Sequence, residues 1–186
     1  VAPGELLSES VIDGRKHYHY KTQRPIRRIQ PIISGRLVKS ERLVQGTNLE
    51  LYHLPKQKPW AEEHLEAMAD TLVYGNRHFS KYTAKQMRLF AMPSVLQISG
   101  YAMPQMILLD ERLGFNVDRS NPESFDHLYR RTAHEVAHQW WGHGLDGALV
   151  EGGSVLVETL AVYTQARLLE QKYGAEYLNR YMEYEE

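Results

Sequence analysis

Two histidines four positions apart, His134 and His138, with Glu135 directly after the first, constrain this chain more than any other feature. Only a helix brings such residues together: four steps turn by about 400°, so both imidazoles project from one face, about 5–6 Å apart. That spacing suits two nitrogen ligands of one tetrahedral zinc ion. Glu135 stands where a carboxylate can take a proton from a water that the ion activates. A surface or core pair of histidines beside an incidental glutamate is the competing explanation, and the flanking residues bear on it.

The flanks favour a helix. Ser120 or Asn121 can cap it, Pro122 suits its first position, and Glu123 suits its positive end. Phe125, Tyr129, Thr132, Ala133, Val136 and Trp140 form an apolar stripe at helical spacing. His127, His134, His138 and Trp141 fall on or near another face, and Gly142 and Gly144 end the helix.

A zinc site needs a third protein ligand. Gly and His three and six residues beyond the second histidine would supply one arrangement, but those positions hold Trp141 and Gly144. The remaining candidates are Glu151 and Glu158, with His143 and Asp146 as outsiders. Glu151 precedes Gly152-Gly153 and reads as a loop residue. Glu158 lies in the apolar run Val155–Val162, a helix begun by Ser154. A carboxylate in that setting is costly to bury unpaired, and a metal ion offsets the cost. A solvent-facing or arginine-paired Glu158 is the alternative.

The stretch His134-Glu135-Val136-Ala137-His138-Gln139-Trp140-Trp141-Gly142 resembles the active-site helix of the aminopeptidase N-like zinc peptidases, the gluzincins. Glu158-Thr159-Leu160-Ala161-Val162-Tyr163 is similar to their second-helix motif, with residues 139–157 intervening, one more than is usual in the family. The resemblance is nearer still to the peptidase-like domain of some bacterial ABC-transporter permease proteins, and it is specific over residues 122–174. It implies an α+β, thermolysin-like catalytic domain, a mixed sheet plus helices, incomplete at its C-terminal end. It implies Zn2+ held by His134, His138 and Glu158, Glu135 as the catalytic base and a peptide as substrate. It also implies a substrate-binding strand, for which Gly100, Tyr101, Ala102 and Met103 are the candidates. There the family's Gly-x-Met-Glu-Asn becomes Gly100-Tyr101-Ala102-Met103-Pro104-Gln105, which lacks the glutamate that holds a substrate's amino end. The family's oxyanion-stabilising tyrosine is expected beyond Glu186. Tyr163, Tyr173, Tyr177, Tyr181 and Tyr184 read as packing or surface residues.

Composition narrows the remainder. A length of 186 residues suggests one domain or one and part of another, and 42% hydrophobic content supports a core. The net charge of −1 gives no reason to expect a nucleic-acid partner. No apolar run approaches the roughly 20 residues of a membrane helix, so any transmembrane segments or membrane association belong to a parent protein outside this chain. Val1-Ala2-Pro3-Gly4-Glu5 reads as an excised start, neither signal peptide nor initiator. With no cysteine, disulfides and thiolate zinc ligands are excluded.

Along the chain, residues 1–35 read as a linker or the tail of a preceding β-rich domain, and 36–186 as the catalytic domain. Residues 10–54 are extended, with Asp13-Gly14 as a turn, His17–Tyr20 as a strand start and strands at Leu37-Val38 and Leu49–Tyr52 around Gly46. The histidines of 17–20 read as strand alternation, and Arg24, Arg27 and Arg28 as a solvated basic face. Residues 55–59 read as a linker, 60–79 as a helix, 87–95 and 103–109 as strands. Residues 101–109 are the candidate for the strand along the cleft edge. A helix carrying Glu158 ends at Gly174, and 175–186 begin another. Two functional classes fit: a zinc peptidase, or a zinc-binding peptidase-like module with weak or lost catalysis, serving as an interaction or sensory domain of a membrane transporter.

Overall fold

The computed structural model describes residues 1–26, 31–96, 99–115, 126–148 and 150–185. It is a mixed α+β fold: a five-stranded sheet with helices packed on one face, and a separate hairpin near the N-terminus.

That hairpin joins β1 (Glu5–Ile12) to β2 (Arg15–Lys21) in antiparallel register. Asp13 and Gly14 both have positive φ, at 50° and 75°, the backbone a tight two-residue hairpin turn requires. His17 and His19 lie in β2. Gln45 and Gly46, at φ 48° and 83°, make the same kind of turn between β3 (Val38–Val44) and β4 (Thr47–His53). The remaining strands are β5 (Gln86–Met92), β6 (Gly100–Met103) and β7 (Met106–Asp110). The sheet order is β3-β4-β5-β7-β6, with β4, β5 and β7 parallel and both edge strands antiparallel. The inner strand β5 is buried on both faces apart from Ala91, as central parallel strands are.

One face of the sheet carries the main core. Leu49, Leu51, Met87, Leu89, Ile107 and Leu109 meet Leu65, Met68 and Leu72 of α1 (Ala61–His78), together with Val136 and Trp140. The helix expected over 60–79 is present as α1, and Val73 alone of its apolar residues is exposed. Gly75 lets Trp140 lie flush on α1, because a Cβ there would overlap the indole ring. The other face is covered by the N-terminal segment. Val1, Ile33 and Leu37 pack on Phe90, Met103 and Met106. A buried Arg88–Glu50 pair, 2.7 Å apart, binds the carbonyl oxygens of Ala2 and Gly4 through the Arg88 Nη1.

Three expected elements are corrected. Pro55–Trp60 is a 3-10 turn and not a linker. Buried Gln57 closes it, its side chain accepting from the Leu54 N–H at 2.8 Å. The strand over 87–95 stops at Met92, before Pro93, which has no N–H for the ladder. The strand over 103–109 is two strands. Pro104 and Gln105, the latter at φ 68°, reverse the chain between β6 and β7, so the sheet edge is Gly100–Met103 alone.

A short α2 (Glu111–Gly114) follows β7. Then come α3 (His127–Ala137), α4 (Gly153–Tyr173) and α5 (Ala175–Glu185). The caps expected at Ser120, Asn121, Pro122 and Glu123, and Phe125 of the stripe, lie outside the described residues, as do Arg27 and Arg28. The described helix α3 is capped by Asp126, whose side chain accepts from the Tyr129 N–H at 2.9 Å. Tyr129, Thr132, Ala133, Val136 and Trp140 are all buried, as their spacing predicts. Among the described residues no helix is long and apolar enough to cross a membrane.

Candidate metal centre

α3 ends one residue earlier than the motif. His138 is its C-cap, with φ −61° and ψ −13°, and the N–H groups of Gln139 and Trp140 bond back only three residues. The helix therefore closes at Ala137, ahead of Gly142 and Gly144. His138 keeps helical φ, so the four-residue spacing still works. The two Nε2 atoms lie 3.2 Å apart, with the rings nearly perpendicular. The tautomer of His138 follows from its partner. Its Nδ1 lies 2.9 Å from the Trp141 carbonyl oxygen, which can only accept. Nδ1 therefore carries the proton, and Nε2 presents a lone pair, the pattern of metal-bound histidines.

Trp140 and Trp141 fix this turn against its neighbours. The Trp140 indole N–H donates to the Ser80 carbonyl at 2.7 Å, and that of Trp141 to Thr164 Oγ1 on α4 at 3.0 Å. The second contact sets α4 beside α3. Glu158 then reaches the pair, with Oε2 at 3.4 Å from His134 Nε2 and Oε1 at 3.6 Å from His138 Nε2. Ligands about 2.0–2.1 Å from a tetrahedral ion stand about 3.4 Å from one another. The His134–His138 separation fits that figure; the two Glu158 distances run to different oxygens, and one ligand atom from each residue lies within 4.8 Å of the others, so the three residues can hold a metal ion.

Glu158 arrives there differently from the expectation. Its side chain is 61% exposed, and Val155, Leu156, Val162 and Tyr163 around it are exposed as well. Of that run only Ala161 is buried, and Glu158 itself is exposed, so no burial cost calls for an ion. The position of α4 brings the carboxylate to the histidines. Glu151 lies in the turn before α4, while His143 and Asp146 line the cavity without joining the cluster.

Glu135 is 5% exposed, and its carboxylate lies against Gly100 at the sheet edge. A Cβ on Gly100 would overlap the Glu135 carboxylate, so the carboxylate lies flush on the β6 backbone and a larger residue there would displace it. Burial raises its pKa to about 7; Arg131 opposes the rise and Glu158 adds to it. A carboxylate near neutrality suits proton transfer in both directions. Burial depresses His134 to about 4, with help from His138, Arg131 and Arg130.

These two groups give opposite pH slopes in metal-free protein. His134 unfolded binds a proton near pH 6.5, so its contribution to stability is lost as pH falls from about 6.5 to 4, by up to about 3 kcal/mol. Glu135 has a raised folded pKa, so its contribution is lost as pH rises from about 4.5 to 7. In chelator-treated His134→Gln, urea denaturation between pH 4 and 6.5 should show stability decreasing with pH, where the unaltered protein shows a flatter profile. Identical profiles would contradict the buried, neutral His134.

A cavity of about 480 Å³ contains His134, Glu135, His138 and Glu158 and is bordered by Gly100, Tyr101 and Ala102. Met103 does not border it. Its side chain is buried on the opposite face with Phe90 and Met106. A second cavity of about 620 Å³, lined by Pro104, Gln105, Gln139 and Trp140, shares Gly142, His143 and Asp146 with the first. Of the C-terminal tyrosines, Tyr173, Tyr177 and Tyr181 are tied to Asp126 and Arg130, and Tyr163 and Tyr184 are exposed. Gln139 is the site-adjacent residue that sequence reasoning left without a role. Its place beside His138 was the available signal.

No protein-family profile matches the chain. Aminopeptidase N from Acetobacter pasteurianus is 32% identical over 115 residues, 60% of this chain and 32% of that protein. The chain is similar to aminopeptidases. The crystal structure of Legionella pneumophila aminopeptidase A in complex with aspartic acid superimposes with a TM-score of 0.75. Its sequence identity is 17%, over 94% of this chain and 21% of that one, a likeness of fold alone. The chain thus spans about a third of the aminopeptidase N sequence and a fifth of the solved chain. Neither of the two is a transporter protein.

Proposed function

We propose that this chain is the zinc-binding part of a thermolysin-like metallopeptidase. The observation that carries the reading is the cluster of His134, His138 and Glu158, one ligand atom from each lying within 4.8 Å of the others. These residues would hold the ion, and residues 36–186 would belong to the catalytic domain, with 1–35 as the tail of a β-rich one. A bound zinc supplies a Lewis acid and lowers the pKa of water. Glu135 accepts the attacking water's proton and delivers it to the leaving amine. The wall of Gly100 and buried neighbours keeps that carboxylate desolvated. The strand β6 offers its free edge to a peptide backbone. The test is zinc content of the purified protein together with hydrolysis of a peptide library by the whole protein. Absence of bound zinc at one equivalent overturns the reading.

The same reading predicts weak dependence on a free α-amino group. Pro104 occupies the position of the family's amine-binding glutamate and lies in the β6–β7 turn, lining the second cavity and not the one with the histidines. Asp110 does not substitute for it. It is buried, and it accepts from the Arg112 N–H at 2.7 Å and from Ser94 at 3.1 Å. The preference in kcat/KM for free over acetylated peptides is expected to stay below about a hundredfold, or about 2.7 kcal/mol. A larger ratio would contradict the assignment.

A further inference from the structure

We infer that Gln139 is a positioning residue that locks the peptide-binding edge strand to the metal helix; the inference rests on the proposed function. Gln139 is 7% exposed and follows His138 directly. Its Oε1 accepts from the Gln105 backbone N–H at 2.8 Å, and its Nε2 donates to the Met103 carbonyl at 3.0 Å. One carboxamide thus bridges both sides of Pro104, the tip of the β6–β7 hairpin. The pairing fixes the amide orientation, since an N–H only donates and a carbonyl only accepts.

The hairpin has a second attachment, on α3 itself. Glu135 and Gln139 are four residues apart, and Gly100 at the start of β6 lies flush on Glu135. The strand is therefore pinned at Gly100 by close packing and at Met103–Gln105 by hydrogen bonds. Between those pins its free edge is defined by the ladder. The Asp110 N–H donates to the Ser99 carbonyl. By alternation in antiparallel pairing, Tyr101 and Met103 bond to β7, while Gly100 and Ala102 turn their N–H and C=O outward. These outward groups belong to the residues that border the histidine cavity.

A third layer holds the tip. Gln105 Oε1 accepts from Gln86 Nε2 at 2.6 Å and from the Gly4 N–H at 3.1 Å. Gln139 is the member that ties this network to the helix. Loss of its two bonds leaves the buried Gln105 N–H without this partner and frees the strand to shift relative to His134, His138 and Glu135. The ion's ligands do not depend on the strand, so metal affinity should not follow.

Gln139→Met, which keeps length and packing, and Gln139→Glu, which loses the donor to Met103, test this. In zinc-free protein, amide exchange over residues 100–106 should accelerate about tenfold or more in Gln139→Met, while α1 and β4 keep their protection. In zinc-loaded protein, two probes separate the effects. Acetohydroxamate touches only the metal and should bind within threefold of the unaltered protein. A tripeptide hydroxamate that runs along β6 should bind at least tenfold more weakly, and Gln139→Glu should share that loss. Unchanged exchange over 100–106, or equal weakening of both probes, overturns the inference. A protein that takes up no zinc overturns the proposed function instead, and the exchange measurement still decides whether Gln139 is the clamp. If Gln139→Met fails to fold, Gln139→Glu carries both measurements.

Discussion

Glu135→Gln is expected to lower kcat for peptide hydrolysis by about 10²–10⁴-fold while zinc remains bound at its original stoichiometry. The amide keeps the shape of the carboxylate, and the space beside Gly100 that admits one admits the other. What is lost is the ability to accept a proton. The effect is expected in kcat and kcat/KM alike, because the removed interaction acts in the transition state. Steady-state rates and zinc analysis on the same preparation check this. Near-normal turnover by the variant rules out the assigned role, and loss of zinc assigns Glu135 to the metal site.

Glu158→Ala is expected to weaken zinc binding by more than about 100-fold, since even outer-shell partners of metal ligands are worth about 10–100-fold. Two histidines 3.2 Å apart would remain, an incomplete set for a protein zinc site. The side chain is 61% exposed. The metal-free variant should therefore unfold within about 0.5 kcal/mol of the unaltered protein. Competition with a chelator measures the affinity, and urea denaturation measures the stability. Unchanged zinc affinity removes Glu158 from the ligand set, and a large stability loss without metal would give it a packing role instead.

The helical spacing of His134 and His138 and the stripe from Tyr129 to Trp140 were legible because both depend on residues within a few turns of each other. The hairpin turns at Asp13-Gly14 and at Gly46 were signalled in the same way, by residues that tolerate positive φ, while Gln45 at φ 48° carried no such signal. The break at Pro104-Gln105 was visible as a proline near a strand end, yet reading 103–109 as one strand missed the reversal. A two-residue turn there depends on Met103 and Met106 pairing across it. Met103 belongs with the same lesson: an adjacent position on β6 faces the opposite side of the sheet.

Local chemistry, read from the sequence alone, determined that a histidine pair suited to a metal lies on one helix, that a third ligand from this chain would be a carboxylate or histidine, and that no thiolate of this chain can take part. The tertiary structure decided which carboxylate comes within reach. Glu158 joins the histidines because the Trp141–Thr164 contact seats α4 against the end of α3, not because an apolar run buries it. The tertiary structure likewise decided that Glu135 is desolvated by Gly100 and that Gln139 holds the edge strand. Such contacts join residues tens of positions apart, and no local propensity or periodicity encodes which distant groups the packing brings together.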